Sequence, residues 1–96
     1  MHKLENKSID GLFEAILSLE NKEECYSFFE DVCTIQELSS IAQRLEVAKL
    51  LYEGKSYIEI NKLTGASTAT ICRVGKCVNY GSGGYKTAID RLDKKE

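Results

Sequence analysis

Apolar residues recur at every third or fourth position along most of the chain, and this spacing predicts amphipathic helices. The first of these stripes runs from about Ile9 to Leu19, and its apolar members are Ile9, Leu12, Phe13, Ile16 and Leu17. No segment alternates apolar and polar residues with the period of two that marks a half-buried strand. The chain also contains no proline, which would interrupt a helix. The pattern therefore predicts an all-α fold.

Helix-capping residues mark the starts of the next two helices. Asn21 followed by Glu24 predicts the start of a second helix, and Thr34 followed by Glu37 predicts the start of a third. The second helix carries Tyr26, Phe28, Phe29 and Val32. The third carries apolar residues around much of its circumference, namely Leu38, Ile41, Ala42, Leu45, Val47, Ala48 and Leu51. We expect this third helix, which ends at Gly54, to be the central scaffold.

The segment 56–76, SYIEINKLTGASTATICRVGK, has the features of a helix-turn-helix. Ser56 and Glu59 can each accept a hydrogen bond from the other's backbone N–H group, which forms a capping box at the start of the first helix. Gly65 can take the left-handed conformation that ends this helix, and Ser67 can cap the next one. These signals together predict two short helices joined by a tight turn.

The second helix of this segment has two different faces. Ile71 and Val74 should dock against Ile60 and Leu63 on the first helix. The opposite face then carries Thr68, Cys72, Arg73 and Lys76. A small basic helix held out from a body has the shape that enters the major groove of DNA.

The length of 96 residues suits one domain, 1–96, with a modest core. The glycine-dense run GSGG at 81–84 predicts a break before a last short helix at about Tyr85 to Leu92. The first two helices carry more aromatic surface than short helices readily enclose, in Phe13, Tyr26, Phe28 and Phe29. We therefore expect a second subunit to cover part of it. The alternative is a compact monomer with those rings packed inward.

The net charge of −2 is unevenly distributed along the chain. Residues 1–42 contain three basic and nine acidic residues, a net charge of −6, whereas residues 43–86 contain seven basic and three acidic residues, a net charge of +4. The positive charge thus coincides with the helix-turn-helix. Because phosphate neutralisation drives binding to nucleic acid, this half is the one expected to face a phosphate backbone.

Other chemistries find little support in the sequence. The four cysteines form no CxxC pair and the single histidine is His2, so we expect no metal site and no cofactor. Cys25 and Cys33 should lie in the core, and Cys72 on an exposed helix face. The chain offers no Ser-His-Asp set and no converging carboxylates, which argues against an enzyme. It has no apolar run of membrane-spanning length and no secretion signal, which favours the cytoplasm and no membrane partner.

Eight residues are candidates for DNA binding, and they are Lys55, Ser67, Thr68, Ala69, Thr70, Cys72, Arg73 and Lys76. The threonine hydroxyls can contact phosphates or bases, and the backbone N–H groups of 67–69 can hold an anion. Arg73 can bind phosphate or guanine, unless it forms an ion pair with Glu46 or Glu53. The two lysines suit phosphate contacts because an ammonium discriminates little by angle. Ser67 can alternatively serve only as a cap.

Two further assignments have open alternatives. Tyr57 can rest on the sugar-phosphate backbone of DNA or pack against Ile60 or Leu63. Tyr80 and Tyr85 flank the glycine run, where they can close a small cavity near Arg73 or pack across a dimer.

The run GASTATICR at Gly65 to Arg73, with LEVAKLLYEGKS before it and VNYGSGGYKTAIDRL after it, resembles the tryptophan repressor superfamily and in particular its YerC/YecD-type branch. The similarity extends from about Phe28 to Leu92. It implies a TrpR-like helical bundle that forms an intertwined homodimer with one shared core. It also implies that two helix-turn-helix heads face successive major grooves of double-stranded DNA.

The same resemblance implies where an effector would bind. In the tryptophan repressor the corepressor lies beside the reading head, near the arginine that ends the ATI-x-R motif, and Arg73 matches that arginine. A corresponding pocket here would comprise Arg44, Arg73 and Val74, with Arg44 as the approximate match of a second arginine. The repressor has a glycine where this chain has Val74, whose branched side chain should narrow the slot. The resemblance therefore implies the fold and DNA binding, and not a tryptophan corepressor.

These observations favour a sequence-specific DNA-binding transcriptional regulator that acts as a dimer, with repression as the expected direction. The alternative is a protein-interaction or regulatory module that uses the helix-turn-helix shape for packing, without reading a DNA sequence. The small overall charge supports that alternative.

Overall fold

The computed structural model describes residues 5–94 and contains six helices, with no strand in that range. They are α1 (Lys7–Ser18), α2 (Lys22–Val32), α3 (Ile35–Tyr52), α4 (Tyr57–Thr64), α5 (Thr68–Tyr80) and α6 (Gly84–Lys94). The predicted all-α fold is confirmed. None of these helices is both long and apolar enough to cross a membrane. No group of His, Cys, Asp and Glu side chains within 5–94 is arranged to hold a metal ion, and His2 lies outside the described residues.

Polar side chains cap the first three helices. α1 begins two residues before the predicted start because Asn6 Oδ1 accepts a hydrogen bond from Ile9 N at 2.9 Å. The predicted pair of Thr34 and Glu37 forms both bonds of a capping box, at 3.1 and 2.8 Å. Short local hydrogen bonds of this kind depend on few other residues, so these starts are visible in the sequence.

At the start of α2 the capping arrangement differs slightly from the expectation. Asn21 Oδ1 accepts from Glu24 N at 2.9 Å, as predicted. The Glu24 carboxylate, however, accepts from the backbone of Glu20 at 2.9 Å and not from that of Asn21. The helix still starts at the predicted position, and the Glu24 carboxylate accepts the hydrogen bond from the N–H group of Glu20, one residue before Asn21.

Residue contacts divide the chain into two compact units, one up to Leu38 and one from Ser39 onward. The first unit contains α1, α2 and the first residues of α3. No residue of α1 or α2 is buried. The rings of Phe28 and Phe29 meet edge to face, with their centroids 5.3 Å apart and their planes at 81°. This unit therefore has apolar surface but no buried residue in its two complete helices.

One expectation about the first unit is wrong, and one alternative is not observed. Cys25 is exposed and Cys33 is half-buried, so neither belongs to a core. The aromatic rings are not packed inward either, because Phe13 and Tyr26 are exposed and the other two rings are half-buried. Two helices of this length present an apolar face on one side only, and nothing else in their unit is large enough to cover it.

The second unit holds the core, which consists of Val47, Ala48, Ile60, Ala66, Ile71, Val74 and Ile89. Four of these side chains are almost completely inaccessible, namely Ile60, Ile71, Val47 and Val74. Burying a side chain of this size contributes about 1.5–3 kcal/mol. The helix-turn-helix is therefore part of the core of its unit and not an appendage to it.

The role predicted for α3 is only half correct. Its second half supplies Val47 and Ala48 to the core, with Leu45, Leu50 and Leu51 packed against them. In its first half, Ile41 and Ala42 are exposed. The apolar circumference seen in the sequence is thus covered within the unit only from Leu45 onward.

The position predicted for Leu63 is also wrong, because this side chain is 65% exposed. Ile60 occupies the buried face of α4, a helix of only eight residues. After the bend at Gly65, Ala66 is the next residue that belongs to the core.

Candidate nucleic-acid interface

The start of α4 is fixed by the predicted capping box. Ser56 Oγ accepts from Glu59 N at 3.2 Å, and Glu59 Oε1 accepts from Ser56 N at 3.1 Å. The backbone hydrogen bond from Ser56 lowers the pKa of Glu59, and the Ser56 hydroxyl and the nearby charge of Lys55 lower this pKa further. The ionised carboxylate is therefore the form that stabilises the first turn.

The turn between α4 and α5 is held by both backbone and side chains. Gly65 has a φ of 74°, and its N–H donates to Asn61 O at 2.8 Å. This left-handed conformation favours glycine, as predicted. Asn61 Nδ2 donates to Ala66 O at 2.8 Å, and Thr64 Oγ1 accepts from Ala66 N at 3.1 Å. Gln43 Nε2 on α3 donates to Thr64 O at 3.2 Å.

These turn contacts were not predicted from the sequence. Asn61 and Thr64 shortly precede Gly65, and polar side chains of this type near a turn glycine often hydrogen-bond to the carbonyl and N–H groups of the turn. The bond from Gln43 has no local signal because its partner lies 21 residues away in the chain. Together these hydrogen bonds fix the conformation of the turn that leads into α5.

Ser67 caps α5, as predicted. Its Oγ accepts from Thr70 N and donates to Thr70 Oγ1, each at 3.1 Å. This geometry supports the interpretation of Ser67 as a cap. Thr70 is half-buried, and its oxygen accepts the Ser67 bond, whereas Thr68 is exposed. Of the two threonines, Thr68 is therefore the more accessible to a partner.

The faces of α5 are as expected. Ile71, Val74 and Gly75 are buried. The exposed side chains include Ala69, Cys72, Arg73 and Lys76. Positions separated by three, four and seven residues lie on one face of a helix, so these four form a single outward stripe.

Within residues 5–94, no carboxylate lies at ion-pair distance from the cationic side chains of the interface. Ion pairs in the described part of the chain join Lys49 to Glu46 at 3.9 Å and Lys86 to Asp90 at 2.8 Å. The alternative in which Arg73 pairs with Glu46 or Glu53 is therefore not observed there. Lys55, Arg73 and Lys76 are all exposed. Their charges remain available to an anionic partner.

The three residues of the candidate effector pocket have different environments. Arg73 is exposed, Arg44 is half-buried, and Val74 is a core residue with 1% exposure. Tyr85 is half-buried against the core. Burial raises the pKa of Tyr85, Cys77 raises it further, and the charges of Arg44 and Arg73 oppose this rise. The positive charges of both arginines thus favour the ionised form of the Tyr85 phenol.

A shallow cavity of about 400 Å³ lies elsewhere in the second unit, beside the end of α3 and α6. It is lined by Lys49, Tyr52, Glu53, Ile89, Leu92 and Asp93. None of the candidate DNA-binding or effector residues contributes to its lining.

The similarity of this chain to known proteins extends over nearly all of its described residues. The sequence profile of the family described as Trp repressor protein matches residues 7–93. The chain belongs to the Trp repressor family. The match begins at α1, well before Phe28, where the resemblance in the sequence was expected to start. The N-terminal helices are thus part of the family's domain.

Three relatives agree with this assignment. The uncharacterized protein YerC of Bacillus subtilis (strain 168) is 56% identical over 94 residues, which cover 98% of this chain and 90% of YerC. A solved TrpR-like protein of Eubacterium eligens ATCC 27750 is 53% identical, has a TM-score of 0.91, and shares 95% of this chain and 94% of its own. The solved structure of a candidate Trp repressor from Staphylococcus aureus is 48% identical and has a TM-score of 0.91. This match covers 95% of the present chain and 91% of the Staphylococcus aureus chain. This YerC-type chain therefore has a Trp repressor-like fold, in a family of regulatory proteins and not of enzymes.

Proposed function

We propose that the protein is a sequence-specific DNA-binding transcriptional regulator that binds as a dimer through α5. One observation carries the proposal, which is the two-faced character of this helix. Its inner face is buried with Ile60 in the core, while Ala69, Cys72, Arg73 and Lys76 line the outer face. An α-helix fits the major groove of DNA, where side chains of this kind reach base edges.

The candidate contacts divide into two kinds. Lys55 and Lys76 suit phosphates, because a flexible ammonium contributes charge with little preference for a sequence. Arg73 can make a bidentate contact with guanine, and Thr68 can hydrogen-bond to a base or a phosphate. Ala69 and Cys72 add small apolar surface that a thymine methyl group can contact. The proposed site therefore combines phosphate contacts, which contribute affinity, with base contacts, which can distinguish one DNA sequence from another.

A second copy of the chain completes the proposed regulator. Large apolar side chains are exposed in the first unit and at the start of α3, including Leu17 at 83% and Ile35 at 86%. Covering such residues is the usual role of a partner subunit. Two symmetric reading helices would then bind an approximately palindromic site, with half-site centres about 34–36 Å apart. A function on DNA also agrees with the expected cytoplasmic location.

The proposal is tested on DNA fragments selected by the wild-type protein from a random pool. Arg73→Ala and Thr68→Ala should each weaken binding to the selected site by about 1–3 kcal/mol, as measured by gel shift. The reason is that each substitution removes a hydrogen-bonding group from the face that meets the bases.

Two matched substitutions on α6 serve as controls. Arg91→Ala and Thr87→Ala remove the same side chains from exposed positions outside the helix-turn-helix, and both variants should bind DNA like the wild type. If Arg73→Ala and Thr68→Ala retain full affinity and an unchanged sequence preference, α5 is not the reading helix and the proposal fails.

A protein-interaction module is the second candidate, and one observation favours it. Ile58 and Leu63 are exposed on α4, which is more apolar surface than an isolated surface helix needs. The two functions differ in their response to salt. DNA binding should weaken steeply as salt rises, because phosphate contacts release counterions. Association with a protein that is insensitive to salt, in a chain that selects no DNA site, would favour the second candidate.

A further inference from the structure

Gly75 is a buried glycine in the interior of α5. Its φ is not in the left-handed region, so the backbone conformation does not require glycine. Within a helix, glycine is less favourable than alanine because the unfolded chain has more freedom to lose. The helix therefore carries an unfavourable residue at this point, and the explanation has to be sought in the surrounding space.

The space beside Gly75 is occupied by the side chain of Tyr57. A Cβ atom at position 75 would lie 3.0 Å from the Tyr57 hydroxyl oxygen and 3.9 Å from Leu51 Cδ1. The first separation is tighter than nine in ten real contacts of a Cβ atom, and the second is ordinary van der Waals contact. The Tyr57 hydroxyl oxygen therefore leaves too little room for a methyl group at position 75 unless the tyrosine or the helix shifts.

Side chains from two other helices meet α5 beside Gly75, in the interior of the proposed reading helix. Tyr57 is the first residue of α4 and follows the Ser56 cap, so its backbone is held in place. Leu51 lies on α3 and packs against the core. On α5, Gly75 lies between Arg73 and Lys76, and it faces inward where these two face outward. A small displacement of α5 at Gly75 would move both cationic side chains.

We infer that Tyr57 is a positioning residue for DNA recognition, because its hydroxyl group seats α5 at Gly75 and so sets the angle at which the outer face is presented. This inference rests on the proposed function. It also gives Tyr57 a different role from the two expected ones, which were contact with the DNA backbone and packing on Ile60 or Leu63.

A double-mutant cycle tests the inference. Gly75→Ala, Tyr57→Phe and the double variant are compared with the wild type for binding to the selected DNA site. In the wild-type background, Gly75→Ala should weaken specific binding about tenfold. In the Tyr57→Phe background, where the hydroxyl oxygen is absent, the same substitution should have almost no effect. Residues that do not touch would give additive effects instead.

Further measurements separate positioning from a general loss of stability. Circular dichroism reports whether each variant is folded at the binding temperature, and a random duplex reports phosphate binding that does not depend on sequence. Gly75→Ala should remain folded and retain its affinity for the random duplex. Gly84→Ala is the matched control, because a Cβ atom at Gly84 would meet nothing within 4 Å, and this variant should bind like the wild type.

Two outcomes overturn the inference while leaving the proposed function intact. One is an unchanged specific affinity in Gly75→Ala, and the other is an equal loss from Gly75→Ala in both backgrounds. A wild-type protein that selects no DNA site contradicts the proposed function itself, which is a different result.

Discussion

At the scale of single residues, Val74 is the most informative departure from the tryptophan repressor pattern. The sequence predicts that its branched side chain narrows a corepressor slot. In the structure, Val74 is a core residue that packs with Ile60 and Ile71. Its methyl groups therefore pack in the core and stabilise the helix-turn-helix. This packing agrees with a protein in which its own side chains, and not a bound ligand, hold α5 in place.

The prediction at this scale concerns tryptophan. Adding tryptophan should leave the melting temperature of the protein unchanged, because the family resemblance implies that Val74 narrows the slot beside Arg73 in which an indole would lie. A ligand at one hundred times its Kd would add about 2.7 kcal/mol of stability, which a thermal-shift measurement detects easily. A tryptophan-binding member of the family serves as the positive control. A rise in melting temperature that saturates with tryptophan concentration would show that Val74 does not block the slot.

At the scale of elements, the helix-turn-helix depends on local hydrogen bonds at its helix ends. The capping box formed by Ser56 and Glu59 fixes the first residue of α4, and Tyr57 follows directly. Removing the serine hydroxyl leaves an N–H group of the first turn without its partner. The start of α4 is thus a point where a single substitution affects the entire motif.

Ser56→Ala should lower the free energy of unfolding by about 1 kcal/mol, as measured by urea denaturation. Ser39→Ala is the control, because Ser39 is an exposed residue within α3 and caps no helix. Equal stability of the Ser56→Ala variant and the wild type would mean that the box contributes nothing to α4.

The lowered pKa of Glu59 predicts how this element responds to acid. A carboxyl group with a lowered pKa in the folded state stabilises the fold above its unfolded pKa, close to 4.5, and this contribution is lost as the pH falls through the folded pKa. The wild type should therefore be more stable than Glu59→Gln at neutral pH, and the difference should shrink below about pH 4.5. Urea denaturation at several pH values measures it. A difference that stays constant down to pH 3 would contradict the assignment of the effect to the carboxylate.

At the scale of the whole molecule, the uneven distribution of buried residues is the main feature. Among residues 5–94, all of the core residues lie in the second unit, and α1 and α2 contain none. Their exposed apolar side chains are the strongest structural argument for a dimer. In such a dimer, the stability of the fold and the association of subunits are parts of one equilibrium.

The melting temperature should therefore rise with protein concentration, and sedimentation should give the mass of a dimer. Leu17→Glu should weaken the dimer and lower the melting temperature, because it places a charge on an apolar surface that we expect to be covered. Ser18→Glu introduces the same charge at the neighbouring exposed position and is the control. A wild-type monomer with a melting temperature independent of concentration would exclude the dimer.

Much of the local structure could be predicted from the sequence, because the residues involved are close together in the chain. The caps at Asn21, Thr34, Ser56 and Ser67 and the left-handed Gly65 are examples. The outward face of α5 also follows from helical spacing alone. Arg73 and Thr68 are exposed, as the spacing predicts, and their contact with DNA stays a prediction.

Burial depends on what lies across from a residue, and only the tertiary structure decided it. Leu63 was expected to be buried but is exposed, whereas Ala66, to which the sequence assigned no position, is in the core. Cys25 was expected in the core and is exposed. The contact of Tyr57 with Gly75 joins positions that are distant in the chain, so no local pattern predicts it. Helix starts and faces are set by neighbours a few residues away and were determined by the sequence itself. Which faces meet is set by the packing of distant segments, and this required the fold.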